Sequence, residues 1–246
     1  MLAELLILGA VAQVAGASSR ETREEDFALL SLDDAMLSNN ACFRGNIVEA
    51  KQTIFRDGKE GGWTWDWPES AGPGVKTYPE IILGRSPWQP VRAGTYLPRP
   101  LRDAHLTLEF DFTSEATGSW CESFDFWVTS KADLTSKDIT SNLTIWTMKH
   151  GLEPSYKGHR ETVKIGGRTY EAIVETSMEQ PGKAWKTLCL VDTHPRNKGR
   201  LDLGPLVDFL IARGLARPTD FLATAELGSE IVFGKGRTTI RKFLLK

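Results

Sequence analysis

From residue 39 onward the chain is divided into eleven short runs that are apolar or alternate apolar with polar, with Gly, Pro, Asn and Asp recurring between them. They cover residues 46–55, 78–83, 106–112, 123–129, 143–148, 161–165, 170–175, 186–191, 221–226, 230–233 and 238–245. Period-two alternation sends successive side chains to opposite faces of a strand. So many short strands with turn signals between them specify an all-β fold, a sandwich or barrel. One segment departs from this texture. In residues 202–214, Leu203, Leu206, Val207, Leu210 and Ile211 recur at helical spacing, Asp202 is a candidate cap, Pro205 lies in the first turn and Gly214 follows as a stop. One helix is therefore expected among the strands. A chain of 246 residues fits a single large domain with a sizeable core.

The ends bound the compartment. Residues 5–17 form an apolar run closing on small residues, which reads as a secretory signal, although Glu4 replaces the usual positive charge. The run is shorter than the ~20 residues needed to span a bilayer. The expectation is a signal peptide at 1–17, a charged linker or N-terminal extension at 18–38 and one domain at 39–246. The mature protein is then secreted and extracellular, free of the membrane and monomeric. A net charge of −2, a pI near 6.1 and the lack of a basic stripe argue against nucleic acid. Cys42, Cys121 and Cys189 form no CxxC pair, and an odd count permits at most one bridge. The four histidines lack ligand spacing, so neither metal nor cofactor is expected.

Chemistry concentrates near the C-terminus and in two central strands. Glu226, Gly228 and Glu230 share one strand face, as do Ser123, Asp125 and Trp127, and as do Asn142, Thr144 and Trp146. Glu226 and Glu230 lie ~13 Å apart along an extended strand. That is too far for a glycosidase carboxylate pair, which needs ~5–5.5 Å or ~6.5–9.5 Å. A partner for Glu230 must come from another strand. Eight Trp against four Tyr add flat apolar faces with an N–H donor, suited to stacking on sugar rings. Tyr78 either lines the same groove or begins a strand, and Glu80, before Ile81-Ile82, is expected to face solvent. Asn142-Leu-Thr144 is also a glycosylation sequon, set aside because it falls inside a strand.

These pieces, in order, resemble glycoside hydrolase family 12, the endoglucanase and xyloglucanase family. The matching residues are Asn39-Asn40, Trp63-Thr-Trp65-Asp-Trp67, 75–80, Ser123 to Trp127, Leu143 to Trp146, the helix, and Leu227-Gly-Ser-Glu230 with Phe233-Gly234. The resemblance implies a β-jelly roll sandwich of two curved antiparallel sheets, with a polysaccharide or oligosaccharide in a groove on the concave one. It implies Glu230 as general acid/base and Asp125 as the Asp beside the nucleophile. It also implies Trp65, Trp67 and Trp146 as groove aromatics, to which the strand pattern adds Trp127. The nucleophile is a Glu four residues before the last of these Trp, and here that position holds Asn142.

An amide does not readily form the covalent ester a carboxylate forms. Three readings of Asn142 follow. Asp125 acts as base on a water held by Asn142, with Glu230 as acid, which inverts configuration. Alternatively the groove binds glycan without turnover, or Asn142 meets an unusual substrate such as a uronic acid or an N-acetyl sugar. The expected activity is hydrolysis of β-1,4-linked glucans (cellulose, xyloglucan or mixed-linkage glucan). A glucan-binding protein is the main alternative, and a lyase on a similar fold is a more distant one.

Overall fold

A computed structural model describes residues 20–45, 47, 49–180 and 183–246. The expected signal segment, 1–17, lies outside them. In chain order the strands are β1 (Glu21–Arg23), β2 (Leu29–Leu32), β3 (Ala35–Ser38), β4 (Lys51–Asp57), β5 (Glu60–Trp67), β6 (Glu80–Arg85), β7 (Arg92–Ala93) and β8 (Arg99–Pro100). There follow β9 (Thr107–Ala116), β10 (Ser119–Thr129), β11 (Ile139–His150), β12 (His159–Ile165), β13 (Arg168–Gln180), β14 (Lys183–Asp192) and β15 (Lys198–Asp202). After the helix α1 (Leu203–Ala212) come β16 (Phe221–Leu222) and β17 (Thr224–Leu245). The Asp202 side chain accepts from Gly204 N, capping α1 as its sequence predicts.

The strands form two layers. The first runs β1-β4-β5-β17-β9-β15. The second runs β2-β3-β6-β17-β10-β11-β14-β13-β12. Among the described residues every pairing between these strands is antiparallel except β11 with β14. This is the all-β jelly roll with one helix. Its long last strand serves both layers. Residues 224–233 pair with β6 and β10, and residues 234–245 with β5 and β9. The changeover is at Gly234, with φ 114°, where a Cβ would sit 2.0 Å from the Thr117 carbonyl oxygen. Only glycine fits there.

Residues 20–38, within the stretch expected to be a linker or N-terminal extension, are built into both layers. Thr22 pairs with Phe55, Leu37 pairs with Ile81, and Leu30, Leu32 and Leu37 are buried. The apolar residues of this stretch come in runs of only one to four among polar and charged residues, too short to stand out by periodicity.

The core lies between the layers. Phe124 and Phe126 of β10 meet Phe110 and Phe112 of β9, with Phe110 and Phe124 edge-on at 4.8 Å. Each such fully buried side chain contributes about 1.5–3 kcal/mol. Trp65 and Trp67, expected in the groove, are 3% and 2% exposed and belong to this core. Trp63, Trp65 and Trp67 share one face of β5, and that face points inward; Trp67 Nε1 donates to Gln52 Oε1 at 3.2 Å. All three cysteines are free thiols, Cys121 and Cys189 buried and Cys42 at the surface.

Candidate active site

Register assembles a polar furrow on the face of the second layer turned away from the core. Across β10 and β17, Cys121 faces Glu230, Ser123 faces Gly228 and Asp125 faces Glu226. Across β10 and β11, Ser123 faces Trp146, Asp125 faces Thr144 and Trp127 faces Asn142. Glu80 of β6 stands opposite Gly228. The intervening residues Phe124, Leu143, Ile145, Leu227 and Ile231 go into the core, which is why these polar side chains share the other face.

Gly228 makes the floor. A Cβ there would meet the Tyr78 ring at 2.6 Å, so glycine lets the phenol lie across the strand. The Tyr78 hydroxyl donates to the Ser123 carbonyl oxygen at 3.0 Å. The Ser123 hydroxyl is 3.2 Å from the Tyr78 oxygen and 3.3 Å from Asp125 Oδ2. Asn142 Nδ2 donates to Asp125 Oδ1 at 3.2 Å. Burial pushes the Asp125 carboxyl above the usual range, and hydrogen bonds from Tyr78 and Asn142 hold it back.

Glu230 stands at the other side of this floor. Part of its side chain reaches solvent, yet burial pushes its carboxyl up to about 8, helped by the negative charge of Asp125. The Trp146 indole lowers it slightly, although Trp146 Nε1 does not close to a hydrogen bond. Glu230 thus holds its proton at neutral pH, on the same face as Asp125.

Two further carboxyls adjoin Asp125. Glu80, expected to face solvent, is 2% exposed, and its Oε1 accepts from Asn40 Nδ2 at 2.7 Å and Gln89 Nε2 at 2.9 Å. Strand parity held the correct answer, because Ile81 and Leu83 point into the core and leave Glu80 on the furrow face. Glu226 is 3% exposed; its Oε2 accepts from Trp127 Nε1 at 3.2 Å, while its Oε1 has no hydrogen-bond partner. Burial and the charges of Glu80 and Asp125 raise Glu226 well above the carboxylate range. With two amide donors Glu80 ionises first, and Glu226 keeps the proton between them.

Aromatic side chains close one wall. Trp127 is half-buried and meets Trp88 at 5.3 Å and Trp185 at 5.9 Å, all edge-on. Trp88 comes from the loop after β6, and Trp185 from β14 at the far side of β11. Neither stands out in the sequence, because each belongs to the furrow only through tertiary contact. Trp146 is buried with Cys121, Ile173 and Cys189. Two cavities lie off the furrow, one of about 480 Å³ beside Trp88 and one of about 240 Å³ near α1. No cluster of three or more His, Cys, Asp or Glu among the described residues is arranged for a metal ion.

No protein-family model matches the chain, and no curated protein sequence does. Solved structures do. A family 12 xyloglucanase from Bacillus licheniformis superposes with a TM-score of 0.83 at 21% identity, covering 92% of this chain and 99% of that one. An endoglucanase from Rhodothermus marinus gives 0.75 at 22%, covering 92% and 98%. Endoglucanase 3 of Trichoderma harzianum, from the same family, gives 0.74 at 15%, covering 97% and 99%. Over nearly its whole described length, then, the chain has the jelly-roll fold seen in the glycoside hydrolases of family 12.

Proposed function

We propose that the protein is a secreted, monomeric glycoside hydrolase acting on β-1,4-linked glucans such as xyloglucan, mixed-linkage glucan or cellulose. Glu230 protonates the leaving oxygen. Asp125 is the base for a water that the Asn142 amide orients. The observation that carries this reading is the Asn142–Asp125 contact of 3.2 Å on one side of the Tyr78 floor, with the acid Glu230 on the other.

We take the course to be inverting, because Asn142 supplies no carboxylate nucleophile. Asp125 and Cys121, the residue opposite Glu230, are four positions apart on β10, ~13 Å along the strand. Both the ~6.5–9.5 Å of a water-separated pair and the ~5–5.5 Å of a retaining pair are shorter than this backbone span, and the longer of the two is the nearer to it. Trp127 and Tyr78 supply partly exposed aromatic surface for the sugar rings. The fold shared with xyloglucanases and endoglucanases supports the substrate class.

Release of reducing ends from a panel of β-glucans tests this. Wild type hydrolyses at least one of them, and Glu230→Gln lowers the rate about 10²–10⁴-fold, the usual contribution of a positioned acid. No release from any glucan by the purified wild type rejects catalysis. Asn142 favours one second reading, a glucan-binding protein without turnover, identified by saturable glucan binding in the absence of hydrolysis.

A further inference from the structure

A second site lies away from the furrow, where β15 and the first turn of α1 meet the turn between β12 and β13. The cavity there, of about 240 Å³, is lined by Arg168, Arg196, Arg200 and Tyr170, with Ile165 and Leu206 among its apolar residues. At ~30 Å³ per water this is room for about eight waters, or one sugar ring.

Its charges do not balance. Arg168 Nη2 donates to Asp192 Oδ1 at 2.9 Å and Oδ2 at 2.7 Å, and to the His194 carbonyl oxygen at 3.0 Å. Its Nε is buried without a hydrogen-bond partner. Arg196 leans on the same carboxylate, with Nε 3.6 Å from Asp192 Oδ2, while its guanidinium lies over the Phe110 ring at 5.3 Å. One carboxylate, itself 1% exposed, thus serves two guanidiniums. Arg200 pairs with Glu109 at 3.0 Å, but Lys242 and Lys246 draw on the same Glu109. Asp202, also in the lining, has its Oδ1 committed to the α1 cap. Burial and the charge of Arg168 lower the Arg196 pKa, the direction an under-compensated cation takes.

We propose that this cavity binds the carboxylate of an acidic sugar, a single hexuronate unit. The guanidiniums of Arg168 and Arg196 take the carboxylate oxygens, and the wall of Ile165 and Leu206 takes the C–H face of the ring. Guanidinium forks match planar carboxylates. The apolar wall distinguishes a sugar acid from a bare anion. The site shares no residue with the furrow and does not depend on hydrolysis there.

Titration calorimetry of the full protein with sodium glucuronate, glucose and sodium sulfate tests it. Saturable glucuronate binding is expected, with glucose silent and sulfate clearly weaker. Arg196→Gln should weaken glucuronate about tenfold or more, the loss of a charge-assisted hydrogen bond. Should that variant misfold, Arg196→Lys keeps the charge and the aliphatic stem but not the planar fork, and still weakens binding severalfold. Absent glucuronate binding, sulfate or glucose binding as tight as glucuronate, or affinity unchanged in a folded variant would each overturn the proposal. Since no readout uses turnover, its failure and that of the hydrolase reading are separable.

Discussion

Glu122 is a carboxyl inside the core, and its replacement by glutamine makes a measurable prediction. It lies on the inward face of β10, fully buried. Its Oε1 accepts from Ser114 at 2.6 Å, Thr238 at 2.6 Å and Ser229 at 2.9 Å, and its Oε2 has no hydrogen-bond partner. Burial raises its pKa from 4.5 to about 7, with the three hydroxyls opposing. At 1.36 kcal/mol per pH unit this is about 3 kcal/mol. For an acid raised on folding, the protonated form is the stable one. Its stabilisation is complete below pH 4.5 and lost as the pH rises to about 7, where the buried group ionises. Glu122→Gln keeps the shape and cannot ionise. The variant is expected to match wild type or fall slightly below it near pH 4, its amide being left without an acceptor. By pH 8.5 the difference shifts in the variant's favour by about 3 kcal/mol. Other raised carboxyls titrate in both proteins and cancel in the difference. Urea unfolding followed by tryptophan fluorescence at the two pH values measures it. A stability difference independent of pH would refute the reasoning.

The furrow makes predictions of its own. Activity should fall above about pH 8 as Glu230 loses its proton, and should also fall on the acid side as Asp125 gains one; a kcat/KM profile without an alkaline limb would remove Glu230 as the acid. Asn142→Glu places a carboxylate beside Asp125 and should introduce a retaining route, read as a change in product anomer by NMR. Gly228→Ala drives a Cβ to within 2.6 Å of the Tyr78 ring; displacing the ring should cost about 1–3 kcal/mol by thermal or urea unfolding and lower kcat with it.

Strand period carried much of this site. It placed Glu226, Gly228 and Glu230 on one face and Asp125 with Trp127 on another, and register joined those faces. Period alone does not say which side of a layer is core. Indoles at every second position of β5 suit a groove or an interior equally, and Trp63, Trp65 and Trp67 proved interior. The pair of Glu80 and Glu226 escaped for a related reason: residues far apart in sequence adjoin only once β6 pairs with β17. Trp88 is likewise invisible as a groove residue until its loop is seen to reach Trp127 and Trp185. The N-terminal strands were hidden by their length, three or four residues each.

The most direct test of water attack guided by Asp125 and Asn142 is the first product formed. Proton NMR during early hydrolysis of a soluble β-glucan by the wild-type protein should show the α-anomer accumulating before mutarotation. A β-anomer appearing first would contradict the assignment of Asp125 as base, and the absence of any new reducing end would contradict hydrolysis itself.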